Sequence, residues 1–361
     1  MSIFTLQDIC NIEKGKQIDT STLDELLPYR YINGGIKESG FYKDYNIDGE
    51  TILISEGGAS CGYISYIDEK IWHGCHCYAL TNFKVLPKYL FYALKANQER
   101  IMALRTGAAM PNIKKTTLRN MQLPLHDDIG IQTSIIAVLD NIDMQITNRT
   151  RQLEKLDVLV KSRFIEMFGD PVLNEKKWIT KSLRDMGTCK NGMNFRYNES
   201  GVELNCLGVG DFKDFSIITK VSILPIISLN EMPSKEYLLK DHDIVFVRSN
   251  GNKALVGRSV AIYPGDIPTT FSGFCIRYRI TDEDIITSYL LSVLKTDSVR
   301  KMMVGRGANI QNLNQQILGK LMIPVPPFHL QAQFSDYVQQ VDKSKFYCHL
   351  EYIYIHILAK I

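Results

Sequence analysis

Residues 129–168 read IGIQTSIIAVLDNIDMQITNRTRQLEKLDVLVKSRFIEMF, a proline-free stretch whose ends are marked by Gly130 and Gly169. Along it, apolar residues recur at alternating steps of four and three, which is the pattern of a heptad seam. The pattern predicts one helix, about 60 Å long at about 1.5 Å per residue. So long a stripe favours pairing with a second helix; the alternative is an amphipathic helix that lies on its own domain. The seam positions, eight of ten of them apolar, are Ile135, Leu139, Ile142, Ile146, Arg149, Leu153, Leu156, Val160, Arg163 and Met167.

The sequence before this helix recurs after it, at a distance of about 200 residues. GAAMPNI at 107–113 returns as GANIQNL at 307–313, and LPL at 123–125 returns as IPV at 323–325. A period of this length indicates two copies of a domain and not a solenoid. Two similar but non-identical copies suggest a chain that reads two different things at a fixed separation. Further equivalent pairs are Leu6 and Leu183, Asp8 and Asp185, Gly15 and Gly192, Tyr89 and Tyr289, Leu94 and Leu294, Lys95 and Lys295, Gln132 and Gln331, and Asp143 and Asp342.

The bulk composition is that of an ordinary globular protein. A chain of 361 residues suits two or three domains. Its hydrophobic content of 45% and charged content of 22% are unexceptional. The formal net charge is only +3, so any surface for nucleic acid must be local.

The cysteines and the N-terminus both favour a cytoplasmic protein with reduced thiols. The first ten residues lack the basic and apolar regions of a secretion signal. No apolar run approaches the length of a membrane span, so we expect no membrane segment. The eight cysteines, which show no framework of paired spacings, are Cys10, Cys61, Cys75, Cys77, Cys189, Cys206, Cys275 and Cys348.

Both copies mix short β-rich runs with turns. TILI at 51–54 and YISYI at 63–67 flank a Gly-Gly turn, and residues 244–247 repeat the first of these runs. Residues 89–102 predict a helix, and residues 118–125 predict a strand or an extended run. Each copy is therefore expected to be an α/β domain.

The order domain, helix, domain, helix predicts that the two long helices are antiparallel, because a short turn after each helix reverses the direction of the chain. We therefore expect an α+β fold, with two α/β domains separated by two long antiparallel helices that form a coiled-coil spacer. The expected boundaries are 1–125 for the first domain, 126–170 for the first helix, 171–325 for the second domain and 326–361 for the second helix.

The end of the chain departs from the pattern of the first helix. In residues 328–361, Phe334, Val338 and Val341 keep the step of four and three, but Lys345 and Cys348 weaken it. Further on, the alternation of residues 352–357 has the period of a strand. We therefore expect a second helix that is shortened or atypical. The alternating residues are Tyr352, Ile353, Tyr354, Ile355, His356 and Ile357.

Basic residues cluster at equivalent places in both copies, around the loops that begin at Gly107 and Gly307, in stretches without acid. Arginine and lysine neutralise phosphates, while asparagine, glutamine and arginine form paired hydrogen bonds to base edges. The alternative is a solvated face, the usual role of a charge cluster. The candidate DNA-binding residues are Arg105, Asn112, Lys114, Lys115, Arg248, Asn250, Asn252, Lys253, Arg306, Asn309, Gln311 and Asn312.

The sequence HGCHC is a candidate metal site, since it contains His73, Cys75, His76 and Cys77, and Cys61 could be a further ligand. Zinc takes four nitrogen or sulfur ligands, commonly from two pairs, and no second pair is present. The stretch therefore favours a buried strand with small apolar cysteines, and we predict no metal ligands.

The motifs of catalysis are weak or missing. Asp170, Glu175 and Lys177 loosely resemble the acidic pair and lysine of metal-dependent nucleases, but they lie in an interdomain linker. The sequence GVG at 208–210 lacks the third glycine of a dinucleotide-binding loop. There is no phosphate-loop GK[ST] and no [ND]PPY run of adenine methyltransferases. We therefore predict a chain without catalytic residues.

With these features, the sequence resembles a known family, the specificity subunits of type I restriction-modification systems. The likeness extends over essentially the whole chain and is most specific in the long helix, which resembles the family's central conserved helix. The second helix resembles the distal conserved helix, and the loops at Gly107 and Gly307 resemble the ends of two target recognition domains. The runs that carry it are LPL at 123–125, Gln132, LDNID at 139–143, LEKLD at 153–157, KSRFIEMFG at 161–169, and IPVPP at 323–327 with Gln331.

This resemblance implies a function. Each target recognition domain would read one half of a bipartite, asymmetric site in double-stranded DNA, and the helices would fix the gap between the halves. Two modification (methyltransferase) subunits would dock along the helices, and restriction (motor-nuclease) subunits would join them. S-adenosylmethionine, ATP and magnesium would belong to those partners, and the chain itself would carry no cofactor.

Two other functions remain open. A self-contained restriction enzyme is disfavoured by the missing motifs, and cleavage by the purified chain would support it. An inactive or decoy chain of the same family would result if the atypical tail, 346–361, prevented assembly.

Removing charge at Arg105 or Arg306 is expected to weaken DNA binding through lost phosphate contacts. Removing Asn250 or Gln311 is expected to relax base choice at one half-site, by about 1–3 kcal/mol for a bidentate contact. Binding titrations and the recognised motif measure the two effects separately. Wild-type affinity and motif in every variant would show that the reading loops lie elsewhere.

Overall fold

A computed structural model describes residues 1–107, 110–195, 200–212, 216–304 and 312–358. It has two compact units: unit 1 comprises Met1–Arg149 with Glu351–Ile361, and unit 2 comprises Thr150–Leu350. Both changes from one unit to the other fall within long helices.

Helices and strands occur in both units, so the fold is α+β. The helices are α1 (Leu6–Ile9), α2 (Pro87–Ala96), α3 (Gln98–Ala103), α4 (Lys115–Arg119), α5 (Ile129–Phe168), α6 (Leu183–Met186), α7 (Thr287–Lys295), α8 (Asp297–Val304), α9 (Gln315–Gly319) and α10 (Phe328–Leu358).

The strands are short, and most follow one another closely along the chain. Those of unit 1 are β1 (Ser2–Thr5), β2 (Asn11–Lys14), β3 (Tyr29–Ile32), β4 (Gly40–Tyr42), β5 (Thr51–Ser55), β6 (Ile64–Ile67), β7 (Ile71–His73), β8 (Cys77–Thr81) and β9 (Gln122–Leu125). Those of unit 2 are β10 (Thr180–Ser182), β11 (Gly187–Asn191), β12 (Val202–Leu207), β13 (Ile217–Ile218), β14 (Ile226–Leu229), β15 (Asp243–Val247), β16 (Ser259–Ile262), β17 (Thr269–Phe271), β18 (Cys275–Ile280) and β19 (Met322–Pro324).

The two units share one topology. Unit 1 has a four-stranded sheet in the order β2-β8-β5-β6 and a three-stranded sheet in the order β4-β3-β7. Unit 2 repeats them as β11-β18-β15-β16 and β14-β12-β17, and it adds β13 at the edge beside β16. In each three-stranded sheet, one pair is antiparallel (β3 with β4, β12 with β14) and one is parallel (β3 with β7, β12 with β17). The pairs β1-β9 and β10-β19 complete the equivalence, so the internal repeat seen in the sequence is a repeat of structure.

The central strand of each large sheet is buried along its whole length, as expected for a continuous apolar run covered on both faces. Side chains alternate between the faces of a strand, so each central strand supplies two separate cores. In β5, Ile52 and Ile54 enter one core and Leu53 enters the other. In β15, Ile244 and Phe246 enter one core while the valines between and after them enter the second.

A buried glutamine joins the first turn of each long helix to its own unit. The Gln132 Oε1 accepts from the Leu86 amide at 2.9 Å, and its Nε2 donates to the His126 carbonyl at 2.8 Å. The Gln331 Oε1 accepts from the Ile286 amide at 3.0 Å, and its Nε2 donates to two backbone carbonyls. The two equivalent residues of the repeat therefore do the same structural work.

Helix α5 has the bounds that its sequence predicts. The ten seam positions of the heptad pattern are all half-buried, while nearly all of the positions between them are exposed. Two corrections concern the flanking segments. The helix predicted at 89–102 is two helices that meet at Asn97, and the first half of the extended run at 118–125 lies partly in the short helix α4.

The strand period predicted for residues 352–357 is wrong, because α10 continues as one helix through them to Leu358. A short run of isoleucine and tyrosine fits either structure, and elongating an existing helix needs no new nucleus. The turns before it are anchored by Phe334, Val338 and Val341, which are buried. At 31 residues α10 is nevertheless shorter than α5, which has 40.

Within unit 2, α5 and α10 run antiparallel. The Phe334 ring lies 5.5 Å from the rings of both Phe164 and Phe168, measured between centroids. The Lys345 ammonium lies 2.7 Å from the Asp157 carboxylate. Residues later in α5 thus contact residues earlier in α10, which is the order expected for antiparallel helices.

Within the described residues, no helix has the length and apolar content needed to cross a bilayer.

The substitution Phe334→Ala is expected to destabilise unit 2 by roughly 3–5 kcal/mol, because it empties a fully buried position beside the rings of Phe164 and Phe168. Phe328→Ala on the same helix is the matched control, since that ring is 54% exposed. Urea unfolding followed by Trp178 fluorescence, in a Trp72→Phe background, reports on unit 2. Equal shifts for the two variants would contradict the packing described for α10.

Candidate nucleic-acid interface

In each unit the loop after the central strand meets the chain that follows the Gly107 or Gly307 loop. In unit 1, Gly57 pairs with Asn112, and the Ile113 amide donates to the Glu56 carbonyl at 2.9 Å. We call residues 56–58 with 112–113 the junction of unit 1.

The same arrangement defines the junction of unit 2, residues 248–250 with 312–313. There Ser249 pairs with Asn312, and the Leu313 amide donates to the Arg248 carbonyl at 2.8 Å. Glu56 and Arg248 therefore occupy the same position in the two units, with opposite charge.

A third loop joins each junction and ends in an exposed ring. The His76 carbonyl accepts from the Glu56 amide at 2.9 Å, and the Phe274 carbonyl accepts from the Arg248 amide at 2.8 Å. His76 and Phe274 are thus equivalent, and both are exposed. One surface of each unit consequently presents three loops that are separate in the sequence.

Glu56 is a buried anchor beneath the junction of unit 1. Its Oε1 accepts from the Lys14 ammonium at 2.7 Å and from the Tyr78 hydroxyl at 2.9 Å. Burial, and then this carboxylate, raises the pKa of Tyr78, so its hydroxyl stays protonated as a donor. Glu56 itself therefore holds the loop and does not face outward.

In unit 2, polar side chains predicted to touch DNA also shape the loop. The Arg248 Nη1 donates to the Gly273 carbonyl at 3.3 Å, so the guanidinium braces the loop that carries Phe274. The Asn250 Oδ1 accepts from the Asn252 amide at 2.7 Å, and the Asn252 Oδ1 accepts from the Ala254 amide at 3.0 Å. Replacing Asn250 would thus alter the loop as well as any contact with a base.

The remaining predicted residues fall into three groups. On the surface of unit 1, Arg105, Lys114 and Lys115 are exposed together with the junction residue Asn112, and Asn312 is exposed in unit 2. For Lys253 only the backbone is described, in a short 3-10 turn. The predicted residues that lie outside the described part of the chain are Arg306, Asn309 and Gln311.

The junction of unit 2 opens into a cavity of about 370 Å³, which brings Asn250 and Asn312 together. Its two apolar side chains, Val209 and Phe274, are not among the residues predicted from the sequence, because charged and amide residues carry that prediction. The sequence does contain one signal for Phe274. It is an aromatic residue directly after Gly273, at the position equivalent to the HGCHC loop of unit 1. The lining residues are Val209, Ser249, Asn250, Gly251, Phe274 and Asn312.

A polar cluster beside the junction of unit 1 was also missed, because its members are far apart in the sequence. The Gln17 Oε1 accepts from the Asn33 Nδ2 at 3.3 Å and from the Cys75 thiol at 3.0 Å. The Asn33 Oδ1 in turn accepts from the His76 amide at 3.1 Å. This network fixes the loop that presents the His76 ring.

The residues of the HGCHC stretch are engaged in the fold. Burial raises the pKa of the Cys77 thiol to about 12 and lowers the pKa of His73, so both are neutral near pH 7. The described residues bring no three histidine, cysteine or acidic side chains together as metal ligands. At the GVG stretch, the Asp211 carboxylate accepts from the Gly208 amide at 2.8 Å, which places an acid where a phosphate loop presents free amides.

Comparison with known proteins gives one consistent result. The family model described as "Type I restriction modification DNA specificity domain" matches residues 1–158 and 175–347, one match in each copy of the repeat.

Among curated relatives, the putative type I specificity subunit S.MpnORF638P of Mycoplasma pneumoniae is 32% identical over 153 residues, 42% of this chain and 40% of that protein. The type I restriction enzyme StySPI specificity subunit of Salmonella potsdam is 26% identical over 294 residues, 74% of this chain and 61% of that protein. The chain therefore spans less than two thirds of the length of either relative.

Among solved structures, the S subunit of a type I restriction-modification system from M. genitalium has a similar fold. Its TM-score is 0.65 at 21% identity, over 99% of this chain and 93% of that one. The likeness supports the α+β architecture of both units.

Glu56→Ala is expected to destabilise unit 1 by roughly 1–3 kcal/mol, because the contacts of the buried Glu56 carboxylate with the buried Tyr78 hydroxyl and the half-exposed Lys14 ammonium are lost. Asp48→Ala removes an exposed ion pair to Lys70 in the same unit and is expected to cost under about 1 kcal/mol. Unfolding followed by Trp72 in a Trp178→Phe background measures both. A Glu56 variant as stable as the Asp48 variant would exclude the anchoring role.

Proposed function

We propose, because this chain belongs to the type I restriction-modification DNA specificity family, that its two units each read one half of a bipartite, asymmetric DNA site. The relatives are named specificity subunits, and the chain is accordingly a specificity subunit and not a catalytic one.

One observation carries the proposal: the same scaffold occurs twice, with unlike side chains at equivalent positions. The junctions share Asn112 and Asn312, but Glu56 is replaced by Arg248, and the two exposed rings differ. Recognition of an identical half-site twice would favour identical junctions. Unlike junctions on like scaffolds favour two different half-sites.

The chemistry of the surface suits duplex DNA. The exposed Arg105, Lys114 and Lys115 of unit 1 can neutralise phosphates, which gives affinity without sequence preference. Exposed carboxamides beside them can pair with base edges in the major groove. Phosphate contacts would set the orientation, and the junction would select the bases.

For the long helices we propose the role of a coiled-coil spacer between two target recognition domains, 1–125 and 171–325. The half-buried seam of α5 and the antiparallel contacts between Phe164 and Phe334 and between Asp157 and Lys345 support it. A spacer built from helices at residues 126–170 and 326–361 would fix the number of unread base pairs.

The partners are proposed on the family alone. Two modification subunits would dock along the helices and methylate one adenine in each half-site, and restriction subunits would complete the complex. S-adenosylmethionine, ATP and magnesium would bind those subunits. The assembly would work on DNA in the cytoplasm.

The alternative of an inactive or decoy chain loses its main argument. It rested on an aberrant tail, and α10 is a regular helix to Leu358. Lys345, which weakened the heptad pattern, pairs with Asp157, and the Cys348 thiol lies 3.8 Å from the Gln152 carboxamide oxygen.

A genome-wide map of N6-methyladenine, in cells that express this chain with the modification subunit encoded beside it, tests the proposal. We expect a gapped, two-part motif that disappears when the chain is deleted. Asn112→Ala should relax one half of the motif and Asn312→Ala the other, since each lies in its own junction.

Two results would contradict the proposal. An active modification subunit that yields no motif dependent on this chain would refute the specificity role. A single variant that relaxes both halves together would refute the assignment of one half-site to each unit.

A further inference from the structure

The junction of unit 2 holds an aromatic ring on a rigid support. Phe274 is 61% exposed, yet its amide donates to the Ser272 hydroxyl at 3.3 Å and its carbonyl accepts from the Arg248 amide. Gly273 packs so closely on Asn194 that a Cβ there would overlap the Asn194 carboxamide oxygen. A ring held in this way loses little freedom on binding, which favours a contact of fixed geometry.

The cavity beside this ring combines apolar and amide walls. Val209 and Phe274 supply the apolar part, and none of the six lining residues is acidic. The lining therefore suits an uncharged partner that presents a small apolar group next to hydrogen-bonding atoms.

The two asparagines of the cavity are not equivalent. The Asn250 Oδ1 is already engaged by the Asn252 amide at 2.7 Å. Asn312 is exposed, and within the described residues its carboxamide has no hydrogen-bond partner. Asn312 is therefore the side chain that can offer a donor and an acceptor side by side.

We propose that the cavity of unit 2 reads an A·T base pair, with Phe274 against the thymine methyl group and Asn312 on the adenine edge. An asparagine carboxamide pairs with adenine N6 and N7, and an apolar side chain contacts the thymine methyl. Both features lie on the major-groove edge of one A·T pair, which a single cavity can reach. The inference rests on the proposed function, that unit 2 reads a DNA half-site.

Unit 1 supplies an internal comparison. It keeps the asparagine, as Asn112, but has the polar ring of His76 where unit 2 has Phe274. Reading of a methyl group is consequently assigned to unit 2 alone. The ring at this position then becomes one source of the difference between the half-sites.

The test uses the chain assembled with its modification subunits and a duplex that carries the motif found by methylation mapping. Each thymine of the motif is replaced in turn by deoxyuridine, which lacks only the methyl group. One replacement is expected to weaken wild-type binding roughly 3- to 10-fold, as for one buried methyl group in a well-packed contact. For Phe274→Ala, binding should be weak on both duplexes, and the difference between thymine and deoxyuridine at that position should vanish.

Two further variants control the test. His76→Ala is expected to keep the full sensitivity to deoxyuridine, because its ring lies in the other unit. Phe274→His places the residue of unit 1 in unit 2 and should abolish the sensitivity, which also covers the case of a poorly folded alanine variant.

The outcomes separate this inference from the proposed function. Selective binding of the motif with no deoxyuridine effect, or an effect that persists in both Phe274 variants, overturns the inference and leaves the specificity role intact. Absence of selective binding by the wild-type assembly overturns both.

Discussion

A buried glutamine carboxamide, Gln132 or Gln331, joins the first turn of each long helix to its own α/β unit, and it both donates to and accepts from backbone groups. The glutamine side chains are buried, and leaving a buried polar group unpaired costs roughly 1–3 kcal/mol. The hydrogen bonds therefore oppose any swivelling between the helix and the unit that it begins from. The spacer role proposed for the helices would need this rigidity, since a flexible joint would allow the spacing to vary.

Much of the fold could be predicted from the sequence where a long periodic signal was present. The bounds of α5, the central strands β5 and β15, the duplication and the family all follow from patterns that extend over many residues. The structure of residues 352–357 could not be predicted, because six alternating residues fit a helix or a strand equally well. The packed first turns of α10 favour the helix. The break at Asn97 was missed for a similar reason, as both flanking segments are good helix formers.

The sequence indicates equivalent loops in the two units, but it does not indicate the structural roles of their side chains. Basic and amide residues around two equivalent loops predict a surface for DNA, and Asn112 and Asn312 lie at the two junctions. Which amide is engaged by the loop itself, as Asn250 is, depends on backbone geometry that composition does not encode. Phe274 is not predicted from the sequence, because apolar residues are normally assigned to a core. Only its exposed position in the structure distinguishes it from core residues.

The boundary between β15 and the junction has an evolutionary consequence. Every residue of β15 is buried, and the next residue along, Arg248, already belongs to the loop that faces outward. Buried residues that stabilise the fold are thus adjacent in the sequence to loop residues that are proposed to contact DNA. Exposed residues of the loops can be substituted at a lower cost in folding free energy than buried ones such as Glu56, so the proposed recognition of DNA can change in a lineage while the scaffold stays constant.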